Sequence, residues 1–395
     1  MTQREEDTTM THKLRTARQT WVAAALLVGM ALAAPLSNAQ GAKVLKLGGL
    51  LTVTGPNASL GKEGLGGLEY AVKTVNAAGG VTIGAGTYTV QLVNIDDESK
   101  AERTAAAVEK LLADRVPLIF MTPASTTTLA VLPIMEKAKT VALNFIAAAP
   151  AVIAPEYSYS FRSTLSSITN VNPAIDYLVK EKKVKTIAFV GRNDDWGRSA
   201  SKVIIERAKG LGSQVISEDY FDPGTTDFAG LLSKIKGGNA DAVVAAVSIE
   251  SVAFAKQFRE LRMKQALLSV GVNWAAPAVI KAAGAVMEGT FVATGPTTTD
   301  TAKVRAFSHQ FEKAQGRPPL PYEMVGYDNM MLALEAMKKA GSTDPTKIRD
   351  AMRKLDYIGL LQDYSFGGLN QSEVMINVNE IKEGRAVPIG SLRTR

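Results

Sequence analysis

Short apolar runs and amphipathic stretches alternate along this chain at the spacing of βαβ units, and that rhythm constrains the fold more than any other feature. Val44-Leu45-Lys46-Leu47 opens a strand predicted over 44–51. Leu65, Leu68, Val72 and Val75 recur on one face of a helix predicted over 63–78, which stops at Gly79-Gly80. A strand over 88–95, a helix over 101–113 and a strand over 141–145 continue the pattern. It then restarts: helices predicted over 172–182, 198–209, 228–236, 250–262 and 277–283 alternate with strands over 186–190, 214–217, 241–247 and 267–270. Parallel strands joined by crossover helices are covered on both faces. The expected fold class is therefore α/β: two lobes in series, each a parallel sheet flanked by helices, with a cleft between them. The C-terminal quarter reads as helices over 302–315, 323–340 and 345–355, with one strand over 374–381. It has too few strands for a third domain and is expected to complete the first two.

The 395 residues suffice for two ordinary domains. Cys is absent and His occurs twice, at His12 and His309. Cys nucleophiles, disulfides, zinc clusters and iron–sulfur ligation are excluded, and His-based catalysis has almost nothing to use. No cofactor and no metal are expected. The net charge of +7 is dispersed. Its densest stretch, Lys180-Glu181-Lys182-Lys183-Val184-Lys185, carries no interleaved aromatics and reads as a solvated helix end, not a nucleic-acid site. At the N-terminus Lys13, Arg15 and Arg18 precede an apolar run over 21–34, and Ser37 and Ala39 suit a signal peptidase cutting before Gln40. Residues 1–39 thus read as a signal peptide; Met10 is an alternative start, because the acidic first nine residues are odd in such a leader. The apolar run is short for a membrane span, and no Cys near the cut offers a lipid anchor. An exported, soluble protein is expected.

The stretch Val116-Pro117-Leu118-Ile119-Phe120-Met121-Thr122-Pro123-Ala124-Ser125-Thr126-Thr127-Thr128 reads as a buried strand, a tight turn and a helix start. Ser125 or Thr126 occupies the N-cap position. Unpaired amides and hydroxyls at the end of a parallel strand suit a carboxylate. Two readings stand: an anion anchor, or hydroxyls that only cap the helix. Gly55-Pro56-Asn57-Ala58-Ser59-Leu60-Gly61-Lys62 looks like a phosphate loop, but its spacing is one residue too long and Glu63 stands where Ser or Thr would hold magnesium. Gly64-Leu65-Gly66-Gly67 lies inside a helical pattern, so close helix–sheet packing explains it better than a dinucleotide fingerprint. Adjacent residues at a strand end point to opposite sides, so Asp96-Asp97-Glu98 reads as a turn or cap. No nucleophile elbow occurs. In Asn193-Asp194-Asp195-Trp196-Gly197 a Trp sits among polar loop residues at a strand end; it either covers a ligand or packs the loop. Trp274 holds the corresponding place in a later βα unit, and Tyr322 opens a long helix after Pro318-Pro319-Leu320-Pro321.

Taken in order, Thr54-Gly55-Pro56-Asn57-Ala58, Asn76-Ala77-Ala78-Gly79-Gly80, Asp96-Asp97, Pro123-Ala124-Ser125-Thr126, Asn193-Asp194-Asp195-Trp196-Gly197 and Gly326-Tyr327-Asp328 resemble the leucine/isoleucine/valine-binding family, type I periplasmic solute receptors of bacterial ABC importers. The resemblance covers essentially all of the mature chain and lies in the ordered set. It implies two lobes joined by three crossings that close like a hinge: residues 42–163 with 296–370, and residues 164–295 with 371–395. It also implies binding without turnover, a small-molecule carboxylate ligand and an ABC permease in the inner membrane as partners, and a periplasmic location. In the family, the residue matching Ser125 holds the ligand carboxylate through hydroxyl and amide, and the segment matching Ala147-Ala148 adds amides. An aromatic matching Trp196 closes from the other lobe, and residues matching Ser248, Val272 and Tyr322 line the rest.

The chain departs from that pattern where amino-acid-binding members hold the ligand ammonium. Ala148 replaces a hydroxylic residue, and Gly271-Val272-Asn273-Trp274 lacks the family carboxylate. Ser99 and Ala124 stand where some members carry cysteines. A buried ammonium without a partner costs several kcal/mol, so the expectation is a carboxylate lacking the α-ammonium, such as an aromatic or branched aliphatic acid, unless Glu250 or Asp195 supplies the charge. The expected site set is Ser125, Thr126, Ala147, Ala148, Trp196, Ser248, Val272, Trp274 and Tyr322. The rival readings are a ligand sensor of the amide-sensing type and an exported α/β enzyme.

Overall fold

The computed structural model describes residues 43–295 and 301–394, apart from the side chains of residues 167–169, 272 and 392–394. The expected signal peptide, residues 1–39, lies outside the described residues. The chain opens with β1 (Lys43–Gly49), α1 (Ala58–Ala77), a hairpin of β2 (Val81–Ile83) and β3 (Gly86–Asn94), and α2 (Ala101–Ala113). Next come β4 (Leu118–Phe120), α3 (Ser125–Lys137), β5 (Val141–Asn144) and β6 (Ser160–Arg162). The second series runs α4 (Ser167–Asp176), β7 (Thr186–Arg192), α5 (Asp195–Gly210), β8 (Gln214–Phe221), α6 (Ala229–Gly237) and β9 (Ala242–Ala246). It continues with α7 (Ser251–Glu260), β10 (Ala266–Ser269), α8 (Pro277–Ala283) and β11 (Phe291–Thr294). The C-terminal part holds α9 (Ala302–Gln315), α10 (Pro321–Ala340), α11 (Pro345–Arg353), β12 (Asp356–Ile358), β13 (Asp363–Ser365), β14 (Val374–Lys382) and β15 (Arg385–Thr394).

Two sheets result, in the orders β2-β3-β1-β4-β5-β6 and β15-β14-β11-β10-β9-β7-β8. β4, β5 and β6 run parallel, as do β8, β7, β9, β10 and β11. β14 and β15 are added antiparallel at one edge. Central strands are buried along their whole length, as in β4, β5 and β9, because helices cover both faces. Such strands read as unbroken apolar runs, which is why they were legible. The short β6 and the edge strand β15, which carries charged and small residues, gave no comparable signal.

Helices α9, α10 and α11 add Phe311, Met330 and Met352 to the core of the first sheet. The chain therefore passes between the sheets after β6, after β11 and before β14. Two of these passages lie side by side: Arg162 N–H donates to the Asn370 carbonyl and Ser372 N–H to the Arg162 carbonyl. The Arg162 side chain is 1% exposed and donates to Gln371 Oε1 at 2.7 Å.

Several boundaries differ from the sequence reading. α1 begins at Ala58 and α5 at Asp195, earlier than periodicity suggested, because each first turn holds a single large apolar residue, Leu60 or Trp196, among small and polar ones. Gly66 and Gly67 of α1 serve helix–helix contact instead of helix–sheet contact. A Cβ on Gly67 would fall 2.0 Å from the Glu323 carbonyl, and one on Gly326 would fall 2.2 Å from the Gly64 carbonyl. Backbone meets backbone where α1 crosses α10, and only glycine permits that distance. Asp97 is fully buried and accepts from Thr52, Thr104 and the Ser99 amide, so the acidic run is a turn anchor.

Candidate functional site

Strand C-terminal ends of both sheets meet at a small cavity of about 70 Å3. From the first sheet come Asn57 and Leu60 at the start of α1, the Pro123-Ala124-Ser125 turn before α3, and Ile146 and Ala148 after β5. From the second come Arg192 at the end of β7, Asp194 after it, Trp196 in α5, Ser248 after β9, and Val270 and Gly271 after β10. Leu165 and Tyr322 complete the wall.

The first face is neutral. α3 starts at Ser125, with Ala124 as N-cap and no side-chain cap bond. Its first-turn amides therefore have no intrahelical acceptor and receive none from a capping side chain. Ser125 is not the cap; its Oγ accepts the Ala149 N–H at 3.1 Å, which ties the Ala147–Ala149 turn to the helix start. The Ala149 carbonyl accepts Arg162 Nη1 at 2.7 Å from below. Burial draws the Arg162 guanidinium down to about 9, still charged at neutral pH, and its two acceptors are neutral oxygens. A positive charge thus lies directly behind the turn that faces the cavity.

The second face is charged. The Arg192 side chain is 5% exposed, and its Nε lies 3.0 Å from Asp194 Oδ2. Nη1 and Nη2 each donate at 3.3 Å to Asn57 Oδ1 on the opposite face. A guanidinium has five N–H donors, and these partners do not exhaust them. Asp194 is also the N-cap of α5, accepting the Gly197 N–H at 2.9 Å. Its carboxylate is thereby engaged twice. Trp196 stands in the first turn of α5, not in a loop, and is half-buried against the cavity.

Of the residues singled out from sequence, Ser125, Ala148, Trp196, Ser248 and Tyr322 line this cavity together. Ala147 is buried beside them without lining it. Thr126 lies at the rim, where Oγ1 accepts the Asp195 N–H at 3.4 Å and so links the two faces. The Val272 side chain lies outside the described residues. Trp274 is corrected: it is fully buried in the core of the second sheet, its Nε1 donates to the Val247 carbonyl at 2.9 Å, and its ring packs edge-on against Phe254. The turn at Val272–Ala275 folds the indole back onto α7 instead of presenting it to the cleft.

The proposed substitutes for a missing carboxylate are also elsewhere. Glu250 is buried at a separate cavity, where Oε1 accepts the Gly224 N–H at 3.0 Å. Asp195 lines a third cavity beside Arg198. Sequence reading missed Asn57 and Arg192. The available signal was an Arg ending an otherwise apolar strand, Ile187-Ala188-Phe189-Val190-Gly191-Arg192, where a buried cation needs a purpose.

The sequence profile of the family described as periplasmic binding protein matches residues 44–376. The chain belongs to that family. Its members are binding proteins, not catalysts. The Leu/Ile/Val-binding protein of Citrobacter freundii is 28% identical over 219 residues, which span 55% of this chain and 58% of that protein. The Leu/Ile/Val-binding protein homolog 8 of Brucella suis is 24% identical over 350 residues, 84% of this chain and 86% of the relative. Among solved structures, a solute-binding protein of an ABC transporter from R. palustris in complex with benzoate aligns with a TM-score of 0.78 at 20% identity, covering 88% of this chain and 96% of that one. LivJ from Streptococcus pneumoniae in complex with isoleucine aligns at 0.76 and 20%, covering 89% and 99%. These likenesses give the fold of this binding protein: two lobes of the type I periplasmic class.

Proposed function

We propose that this binding protein is the exported solute receptor of an ABC importer of the branched-chain-amino-acid type, and that its ligand is a small carboxylic acid without an α-ammonium. Residues 42–163 with 296–370 form one lobe and residues 164–295 with 371–395 the other. The ligand is taken between them by hinge closure, and the closed shape is what the permease reads. Residues 1–39 direct export to the periplasm and are removed.

One observation carries the ligand class. Among the described residues, the only acid on the cavity wall is Asp194, and it is committed to Arg192 and the Gly197 amide. On this wall no uncommitted carboxylate remains to pair an α-ammonium, whereas Arg192, Ser125 and the first-turn amides of α3 all favour an anion. Ser125, Thr126 and the Ala147-Ala148 turn are the carboxylate end in this reading; Trp196, Ser248, Val272 and Tyr322 enclose the body. That one structural neighbour holds benzoate and another holds isoleucine makes both ligand classes accessible to the fold. The test is calorimetric titration of the mature protein with benzoate, phenylacetate, short branched acids and branched amino acids. The reading expects tight binding within the acid set; binding of leucine or isoleucine alone would overturn it.

A further inference from the structure

Leu60 and Tyr322 belong to two cavities at once. Beyond the ligand cavity they border a second space of about 510 Å3, also lined from both halves of the molecule. One side is Glu63 of α1 with the start of α10; the other is formed largely by the apolar residues that lead into α8. The smaller cavity, about 70 Å3, lies far below the roughly 300–1,000 Å3 of ordinary ligand sites. That volume is small for a carboxylate with a ring or branched chain attached, and the adjoining space shares Leu60 and Tyr322 with it.

That space is apolar except for a few groups, and Glu63 is the acid among them. Among the described residues its one hydrogen-bond donor is the Tyr322 N–H, at a long 3.4 Å. The neighbouring acid, Glu323, is taken up by Arg317 and by the Leu320 N–H at 2.7 Å. Burial, with Glu323 adding repulsion, raises the Glu63 carboxyl to about 7 against the pull of Arg317 and the Tyr322 amide. Arg385 lines the same space from the other half and is mostly exposed. A half-buried carboxylate with free acceptor capacity on an otherwise apolar wall is the arrangement that rewards a donor on a ligand and penalises its absence little, because water can replace it.

We propose that the body of the ligand passes Leu60 and Tyr322 into this second cavity and that Glu63 there accepts a hydroxyl group, so that the substrate class is an aryl or alkyl acid hydroxylated at the end opposite its carboxylate. This rests on the carboxylate reading above. Glu63 is then a specificity residue for the far end, as Ser125 and Arg192 are for the near end.

The experiment is calorimetric titration of the mature protein with benzoate, phenylacetate and 3-phenylpropanoate and with the para-hydroxylated form of each, in wild type, Glu63→Leu and Glu63→Gln. At least one hydroxylated acid is expected to bind ~10-fold tighter than its parent, the size of a hydrogen bond to a charged group. That ratio falls toward one in Glu63→Leu and is reduced in Glu63→Gln. In wild type it grows between about pH 5.5 and about pH 8 as Glu63 ionises, and in Glu63→Gln it is flat. Should Glu63→Leu not fold, the Gln variant and the pH series decide. Parent acids that bind without any gain from the hydroxyl, or a gain that survives both substitutions, would overturn the inference alone. Failure of every acid to bind would take down the carboxylate reading first and this inference with it.

Discussion

The unit β1–α1 and the unit β7–α5 approach the cavity with one backbone device. A Cβ on Gly61 would fall 1.8 Å from the Thr52 carbonyl, and one on Gly197 would fall 2.0 Å from the Arg192 carbonyl. In both, a helix start is pressed onto the end of its strand, closer than any side chain allows. The chemistry at the two N-caps then diverges. Asn57 makes no cap bond to its own helix and offers its oxygen across the cavity to Arg192. Asp194 caps its helix and neutralises the same Arg192. The same strand–helix geometry therefore gives one face built of amides and hydroxyls and one that carries an ion pair. Geometry sets where the groups stand; the residue at each cap sets what they attract.

Substitutions on either side test the two faces against each other. The largest effect is expected for Arg192→Ala. It leaves Asp194, which is partly exposed and still accepts the Gly197 N–H, without its cation, at a cost of about 2–3 kcal/mol for a lost charge-assisted contact, and lowers carboxylate affinity by roughly 100-fold for the same reason. Denaturant unfolding and calorimetry read the two effects. If affinity stays intact, the charged face is structural only.

Next come Gly61→Ala and Gly197→Ala, each expected to cost about 3 kcal/mol because backbone has to move, near the upper range for overpacking. Their thermal transitions should drop together. A tolerated substitution at one position alone would show that the two units are not equivalent.

Glu63→Gln tests the α1 side by pH. The Glu63 carboxyl is raised from 4.5 to about 7 in the folded protein, chiefly by burial. The folded state then holds the proton more tightly than the unfolded chain. Stability from this group is complete below its ordinary value and declines as pH rises to about 7. The Gln variant is expected to be more stable than wild type by ~2 kcal/mol near pH 8 and equal to it near pH 4. A constant difference across that range would mean the carboxylate is solvated after all.

The smallest effect is expected for Ser125→Ala, which removes the bond that holds the Ala149 amide. A loss of about 1 kcal/mol in stability and ~10-fold in carboxylate affinity fits one buried hydrogen bond plus one ligand contact. Thermal shift and calorimetry separate them. An affinity loss with no change in stability would assign Ser125 to the ligand alone.

Much of this architecture was legible because parallel strands must be apolar on both faces and helices on one, so the alternation of β4, α3 and β5, or of β9, α7 and β10, is written in the chain. Elements with no such pattern escaped. β6 and β15 are short or at an edge, and the first turns of α1 and α5 hold one large apolar residue each, Leu60 and Trp196, too few to show a period. Ser125 and Trp196, which line the cavity, sit on readable strand-to-helix boundaries and were singled out for the same reason. Trp274 shows the limit. Its neighbours suggested the same boundary, but a short turn rotates the indole away from the cavity and into the core, where its ring packs against Phe254.

By itself the sequence determined the strand–helix order, the lack of thiol and imidazole chemistry, and the polar character of each strand end. Tertiary structure alone decided which strand ends face each other. It set Asn57 against Arg192, residues 135 positions apart, withdrew Glu250 from the cavity, and opened a second space behind Leu60 and Tyr322. Local pattern records how each segment buries its own apolar face. The charge balance of a cleft depends on pairs brought together from distant segments, and no window of sequence contains both partners.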